Sequence, residues 1–252
     1  MSEPLARAAD RLGPFAQPLL WYATVPSTND VAARLAERGA PEGCVVAANA
    51  QSAGRGRQGR AWASPPGAGL YVSTVLRPGP DAIRAVTIAA GVAVADGIEA
   101  ATGLQVALKW PNDVYAGERK MAGVLAEAAD GLAHVILGIG INVMPAAYPP
   151  DVAARATSLE EELGRAVDRG LLLAECLVAL AARYADLQSG RIAAVIEGWR
   201  RRAAPTLGRR VRWDAAGAVA EGVAEDIDQT GALVVRTRTG IVSVTAGEVV
   251  WI

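Results

Sequence analysis

Short apolar runs and alternating apolar and polar residues predict strands in the first part of the chain. The segments with this pattern are 43–50, 70–76, 105–110, 121–129 and 132–143. The last two flank Asp130-Gly131, a dipeptide typical of a two-residue hairpin turn. We therefore predict that these two strands pair in an antiparallel manner, which argues against a purely parallel sheet.

Helical periodicity lies between these strands and becomes dominant after residue 157. The predicted helices are 26–39, 80–103, 168–188 and 191–202. Two helix starts carry a recognisable signal: Ser27 with Asp30 three residues later, and Ser158 with Glu161 as a capping box. Together with the strands, these helices predict an α+β fold with a mixed, mainly antiparallel sheet and flanking helices.

After Pro205 the pattern changes to short strands separated by Ala-Gly and Thr-Gly turns. Such a segment is typical of a small β-barrel. We therefore predict two domains, 1–204 and 205–252.

Composition limits the classes of function. The 252 residues are 52% apolar, and 25 Lys and Arg against 26 Asp and Glu give a net charge of −1, without the basic excess of a nucleic-acid-binding protein. The two cysteines, Cys44 and Cys176, lack metal-ligand spacing and are expected to be free thiols in a reducing compartment. The N-terminal residues have no signal-peptide pattern, and apolar stretches such as 171–182 are short for a membrane span. We therefore expect a cytoplasmic protein without a membrane partner.

A loop rich in arginine and glycine, QSAGRGRQGRAW at 51–62, follows the first buried strand. It contains no phosphate-binding P-loop motif, and its glycine spacing opens no obvious helix. Its backbone and guanidinium groups could bind a small anion, or the loop could be a solvated turn. The residues alone leave both readings open.

Only two of the 25 cationic residues are lysines, Lys109 and Lys120, and both lie in one short segment. A lysine supplies a compact, mobile charge that arginine cannot replace. In KWPND at 109–113, Asn112 and Asp113 could present oxygens to a polar ligand or to Mg²⁺, although Pro-Asn-Asp is also ordinary turn chemistry.

Four motifs in this order resemble the biotin protein ligases. They are STN at 27–29, Gln51 with GRGRQGRAW at 54–62, KWPND with KMAG at 120–123, and GIGIN at 138–142. The resemblance is close over about 20–145. It implies a catalytic domain related to class II synthetases, followed by an SH3-like domain. It also implies that biotin and ATP, with Mg²⁺, form biotinyl-5′-AMP, and that biotin then passes to a lysine of a biotin carboxyl carrier domain of a carboxylase.

The resemblance also assigns site residues. The implied biotin-binding residues are Ser27, Thr28, Asn29, Gln51, Arg55, Gly56, Arg57, Lys120, Gly123, Gly138 and Gly140. The implied nucleotide-binding residues are Arg55, Arg57, Arg60, Trp62, Lys109 and Asn142. Lys120 is expected to bridge the biotin carboxylate and the α-phosphate, Arg57 to hold the adenylate, and Asp113 to bind Mg²⁺. His134, the only histidine, is expected to be structural.

Some relatives carry an N-terminal DNA-binding domain and act as repressors. Only 26 residues precede the STN motif here, so we expect a ligase without repressor function or a DNA partner. The sequence leaves homodimer formation open. The rival interpretations are a lipoate or other acyl-carrier ligase on the same fold, and a nucleic-acid-binding module that uses the arginine loop.

Overall fold

A computed structural model describes residues 3–129, 133–145, 152, 154–215, 218–245, 247 and 249–252. The helices are α1 Glu3–Arg7, α2 Thr28–Glu37, α3 Val86–Thr102, α4 Leu159–Leu163, α5 Arg169–Gln188 and α6 Ile192–Arg200. The strands are β1 Leu19–Tyr22, β2 Val45–Ala48, β3 Gly69–Leu76, β4 Ala107–Lys109, β5 Asp113–Ala116, β6 Arg119–Ala128, β7 Val135–Asn142, β8 Arg210–Ala215, β9 Ala218–Ile227, β10 Leu233–Arg236, β11 Ile241–Val244 and β12 Val249–Trp251.

Seven strands form one sheet in the order β1-β2-β3-β7-β6-β5-β4. Among the described strands of this sheet, only β1 and β2 are parallel, and the other neighbours are antiparallel. The predicted mixed, mainly antiparallel sheet is therefore confirmed, including the pairing of β6 with β7. The predicted Asp130-Gly131 turn between these two strands lies outside the described residues.

Two strands of this sheet, β1 and β5, are absent from the sequence prediction. Both have only four residues, and each lies next to a proline-containing turn that interrupts any periodic pattern. The helix predicted from residue 80 begins only at Val86, after a 3₁₀ turn at Ile83–Ala85. Tertiary pairing, rather than local pattern, determines these boundaries.

The two predicted helix starts differ in how they are capped. Ser27 is the N-cap of α2, but its side chain makes no capping hydrogen bond. The first helical amide, that of Thr28, instead donates to Gln51 Oε1 at 2.8 Å. At α4 the predicted cap is present, because Ser158 Oγ accepts from the backbone N–H of Glu161. The second half of that capping box is replaced by an ion pair, since the Glu161 carboxylate binds Arg119.

The two faces of the seven-stranded sheet carry different layers. Alternate residues of β2 enter two separate apolar clusters: Val45 packs in the large core that contains α3 and α5, and Val46 packs with α2. On β7, Ile136 packs in the α2 cluster, and Gly138 and Gly140 continue its side of the strand. These glycines therefore lie on the α2 face of the sheet.

Residues 83–102, which include α3, are long and apolar enough to span a membrane by length and composition alone. Most of α3 is buried, and it packs against α5 in the large apolar core. It is therefore a core helix. The contact is close because Gly97 has no side chain: a Cβ there would lie 2.6 Å from Cys176 Cα on α5.

We expect Gly97→Ala to lower the free energy of unfolding by about 1–3 kcal/mol, because the added methyl group meets backbone that cannot move independently. The matched control is Gly91→Ala on the same helix, where the added Cβ would lie at an ordinary 3.8 Å from Leu108 Cδ2. That change should be neutral or stabilising, since alanine favours helix over glycine. Urea unfolding measures both, and equal effects would contradict the assigned close contact.

The C-terminal strands form an antiparallel sheet in the order β11-β10-β9-β8-β12. This region contacts the turn between β4 and β5: Trp110 N donates to Thr206 Oγ1 at 3.0 Å, and Trp110 Nε1 donates to Gly231 O at 2.9 Å. The C-terminal region therefore fixes the segment that carries KWPND.

Candidate active site

One row of residues crosses five neighbouring strands of the large sheet. The paired residues are Lys109 with Asp113, Asp113 with Gly123, Gly123 with Gly140, and Gly140 with Tyr71. Residues paired directly across strands project from the same face. The two glycines in the middle of the row therefore leave a floor of bare backbone, with a lysine and an aspartate at one end.

Trp62 covers this floor. A Cβ at Gly140 would lie 2.7 Å from Trp62 Cε2, and one at Gly123 would lie 3.1 Å from Trp62 Cζ3. The indole is held by its backbone, because Trp62 N donates to Gly54 O at 2.9 Å. Its Nε1 is buried and donates to no acceptor among the described residues. The indole therefore packs directly on the glycine floor and fills the space above it, which we call the slot.

Neutral polar groups lie beside this slot at the start of α2. Gln51 Oε1 accepts from Thr28 N at 2.8 Å and from Thr28 Oγ1 at 3.2 Å, and Gln51 Nε2 donates to Ser64 Oγ at 2.9 Å. Ser73 Oγ lies 2.7 Å from Thr28 Oγ1. The adjacent Ser27 is the buried N-cap. Donors and acceptors without net charge suit a neutral polar ring.

Asn29 and Gly138 form a close pair next to these groups. Asn29 Oδ1 lies 2.5 Å from Ser73 Oγ, and a Cβ at Gly138 would come within 2.3 Å of the same oxygen. Asn29 Nδ2 donates to Glu127 Oε2 at 2.5 Å. A side chain at Gly138 would therefore displace the Asn29 amide from its hydrogen bonds.

The arginine loop begins with an anchored residue. Arg55 Nη1 lies 2.7 Å from Asp30 Oδ1, and its Nη2 lies 3.4 Å from Glu127 Oε2. These carboxylates raise the pKa of Arg55, with the hydrogen bond to Asp30 as the largest contribution. Arg55 therefore joins the loop to α2 and β6. Neither acidic residue was predicted as a site residue, because no local motif links them to the loop.

The rest of the loop is a short hairpin. Arg55 and Ala61 form an antiparallel bridge, and Gly56 N donates to Arg60 O at 2.7 Å. At the tip, Gln58 has a φ of +56°, which is the left-handed region, inside a 3₁₀ turn at Arg57–Gly59. The hairpin turns the side chains of Arg55 and Arg57 toward different partners.

Arg57 lies at the other side of the site. Its Nη1 donates to Asn112 Oδ1 at 3.3 Å, and its Nη2 donates to Gly247 O at 3.4 Å. Burial lowers the pKa of Arg57, and nearby Asp113 offsets part of this effect. The loop tip is therefore linked to both the KWPND turn and the C-terminal sheet.

Lys120 lies above the glycine floor. Its Nζ lies 2.6 Å from Asp113 Oδ1 and 5.3 Å from the centroid of the Trp62 ring. The Lys120 backbone is held by the segment just before α4, because Lys120 N donates to Arg155 O and Thr157 N donates to Lys120 O. The structure thus brings a compact cation, an indole and a carboxylate to one end of the slot.

Asn142 continues the floor beyond Gly140 on the same face of β7. Its Nδ2 donates to Thr157 O at 3.0 Å, which orients its side-chain carbonyl. His134, by contrast, is buried where β7 begins, away from the glycine row.

Candidate metal ligands are few among the described residues. The described part of the chain contains no cluster of three or more His, Cys, Asp or Glu residues suited to a metal ion. Asp113 supplies one carboxylate at the site, and Oδ1 of that group is buried. This donor set fits an ion such as Mg²⁺ only if most of its other ligands are waters or substrate oxygens, which is how Mg²⁺ is commonly bound.

Comparison with known proteins agrees with this geometry. Residues 21–142 match the biotin/lipoate A/B protein ligase family, and residues 206–251 match the biotin protein ligase C-terminal domain. The chain is 35% identical to the bifunctional ligase/repressor BirA of Bacillus subtilis, over 92% of this chain and 74% of that protein. It is 37% identical to the biotin–[acetyl-CoA-carboxylase] ligase of Paracoccus denitrificans, over 90% of this chain and 98% of that protein.

A solved structure is similar over almost the whole chain. Biotin protein ligase from Aquifex aeolicus, in complex with biotin and ATP, superposes with a TM-score of 0.82 at 30% identity, covering 93% of this chain and 98% of that one. The sequence and structural similarities therefore agree that the chain belongs to the biotin protein ligase family and is an enzyme of the ligase class.

Proposed function

We propose that this enzyme activates biotin with ATP to form biotinyl-5′-AMP and transfers the biotinyl group to a lysine of a biotin carboxyl carrier domain. The observation that carries the proposal is the position of Lys120 at the end of the slot, the space above the glycine floor that the Trp62 indole fills. A neutral polar cluster and a single compact cation match the two ends of biotin, a neutral ureido ring and a carboxylate.

We propose that biotin takes the place of the Trp62 indole on the floor, so that its ring system lies against Gly138 and Gly140 and its ureido group bonds with Thr28 and Gln51. Ser27 and Asn29 complete this polar end. The carboxylate then points toward Lys120. Glycine in a strand often marks a place where a ligand approaches the backbone closely, which supports this orientation.

In the first step a carboxylate oxygen of biotin attacks the α-phosphorus of ATP, a P–O bond forms, and the bond to pyrophosphate breaks. No side chain acts as a nucleophile, so catalysis consists of positioning and charge stabilisation. The Lys120 ammonium stabilises negative charge between the carboxylate and the α-phosphate. Arg55, Gly56 and Arg57 face the adenylate from the loop.

In the second step the carrier lysine, as a neutral amine, attacks the carbonyl carbon of the mixed anhydride. An amide bond forms, AMP leaves, and the amine loses its proton to solvent. Trp62 and Asn142 are proposed to contact the adenine, whereas Arg60 and Lys109 add positive charge for the phosphates. Asp113 is proposed to hold Mg²⁺ together with phosphate oxygens, and the ion supplies charge neutralisation when bound.

We further propose that 1–204 is a catalytic domain related to class II synthetases and that 205–252 is an SH3-like domain. We also propose a cytoplasmic location without DNA or membrane partners, and the free thiols are consistent with a reducing compartment. Cys44 and Cys176 are both free and buried, and burial raises the pKa of Cys176 to about 12, which makes it unreactive.

The test is transfer of labelled biotin to a purified biotin carboxyl carrier domain. We expect labelling that requires ATP and the acceptor lysine, and no labelling when lipoate replaces biotin. Retention on DNA is measured in parallel at about 0.15 M salt, where binding through phosphate contacts is strongly salt-dependent. ATP-dependent lipoate transfer without biotin transfer would contradict the proposal.

A further inference from the structure

Lys109, one of only two lysines in the chain, lies between two aromatic rings. Its Nζ is 5.2 Å from the ring centroid of Tyr115 and 5.1 Å from that of Trp251. Both distances are within the range of favourable cation–π contact. Tyr115 belongs to β5 of the large sheet and Trp251 to β12 of the C-terminal sheet. Each sheet therefore contributes one ring, and we call the two rings together the aromatic cage of Lys109.

This environment differs from that of Lys120 and Arg55. Lys120 lies against Asp113, and Arg55 lies against Asp30 and Glu127. Lys109, by contrast, forms no ion pair with any described residue. Aromatic faces attract an ammonium group without neutralising its charge. The Lys109 ammonium therefore stays available to an incoming anion.

The position of Lys109 determines which part of a bound nucleotide its charge would meet. It is at the end of the row that runs through Asp113 to Gly123, on the face of the sheet that carries the slot. With neighbouring strands about 4.8 Å apart, it lies about 10 Å from Gly123, beyond Lys120. A nucleotide whose α-phosphate is at Lys120 would extend its outer phosphates toward Lys109.

The electrostatics support retention of an anion there. Burial lowers the pKa of Lys109, whereas Asp113 raises it and the nearby cations Arg209 and Lys120 lower it further. A phosphate group bound beside Lys109 would offset the repulsion from Arg209 and Lys120. Burial also raises the pKa of Tyr115 to about 12, so its ring remains neutral over the working pH range and adds no anion to the cage.

The second ring of the cage is held in place by the C-terminal region. Trp251 pairs with Val211 across β12 and β8. The same region contacts the site at two further points, Gly247 O with Arg57 and Gly231 O with Trp110. Trp251 is thus presented to Lys109 by a segment that is already attached to the loop tip and to the KWPND turn.

We propose that Tyr115 and Trp251 are positioning residues that hold the Lys109 ammonium toward the outer phosphates of ATP. The proposal rests on the proposed function, because it requires ATP to occupy the slot. Through one aromatic side chain, β12 then influences nucleotide binding indirectly, by way of Lys109.

The experiment is a double-mutant cycle on ATP affinity, measured by equilibrium binding with Trp251→Leu, Lys109→Met and the double variant. We expect Trp251→Leu to weaken ATP binding about three- to thirtyfold, the range of a cation–π contact, and to leave biotin affinity unchanged. In the Lys109→Met background, Trp251→Leu should have no further effect. Trp251→Phe, which keeps an aromatic face, should restore most of the affinity.

Several outcomes would overturn the proposal. They are unchanged ATP affinity in Trp251→Leu, an equal loss in the presence and absence of Lys109, or an equal loss for leucine and phenylalanine. If Trp251→Leu fails to fold, Tyr115→Leu against Tyr115→Phe provides the same comparison from the other ring.

Biotin-dependent exchange of pyrophosphate into ATP by the unmodified enzyme tests the proposed function separately. An enzyme that binds ATP without this exchange contradicts the proposed function and still allows the cage to be tested, and one that does not bind ATP contradicts both.

Discussion

Replacement of Lys120 by arginine is expected to slow adenylate formation by at least about a hundredfold, the loss typical of one misplaced group that stabilises transition-state charge. The space at Lys120 is narrow, with Asp113 Oδ1 at 2.6 Å and the Trp62 ring centroid at 5.3 Å. A guanidinium group is planar and broader than an ammonium, and its charge is spread over three nitrogens. It can pair with Asp113 but cannot place one compact charge between a carboxylate and a phosphate.

Single-turnover adenylation, measured with saturating biotin and ATP, provides the rate. Biotin affinity should change little, because the polar end of the slot at Thr28 and Gln51 is unaltered. The matched control is Arg119→Lys, the reverse exchange at the neighbouring residue, whose side chain binds Glu161 and Glu162 instead. A rate near that of the unmodified enzyme for Lys120→Arg would exclude Lys120 from the chemical step.

Strands of the site could be predicted from the sequence where burial of both faces produces a run of apolar residues. All four residues of β2 and all eight of β3 are buried, so both appear in the sequence as apolar runs. The register of β6 with β7, which places Gly123 against Gly140, was not predictable in this way. It depends on pairing between strands, and a shift of one residue would turn the glycine floor to the opposite face.

The partners of the predicted site residues were less accessible from sequence. Asp30 and Glu127 bind Arg55, yet they are distant from it along the chain and carry no motif. Trp251 reaches Lys109 from the last strand. Such contacts form only when separate segments pack together, so they cannot be predicted from local periodicity or residue spacing.

The structure also refines the interpretation of the arginine loop. Its charges do not converge on one point, because Arg55 is anchored to carboxylates at the base of the loop. Arg57 lies over the KWPND turn and the C-terminal sheet. The loop therefore has a fixed base, and Arg57 joins its tip to the surroundings by two long hydrogen bonds. This arrangement favours closure over a bound intermediate by movement of the tip.

Replacement of Arg57 by glycine is expected to allow adenylate formation and to release the product early. Arg57 connects the tip to Asn112 Oδ1 and Gly247 O, and its guanidinium is proposed to bind the adenylate phosphate. Loss of a charged hydrogen bond costs roughly 1.5–3 kcal/mol, which corresponds to about ten- to a hundredfold faster dissociation if the loss falls on the off-rate. Released biotinyl-5′-AMP is a mixed anhydride that reacts with exposed amines.

The measurement is biotin labelling of a bystander protein that has no carrier sequence, with the variant, biotin and ATP in solution. The matched control is Gln58→Gly at the next residue. Gln58 already has a φ of +56°, so glycine fits its conformation and increases loop freedom without removing a charge. Strong bystander labelling by Arg57→Gly alone would show that the guanidinium retains the intermediate. Equal labelling by both variants would assign retention to loop stiffness, and an unlabelled bystander with adenylate present would show that Arg57 does not hold the intermediate.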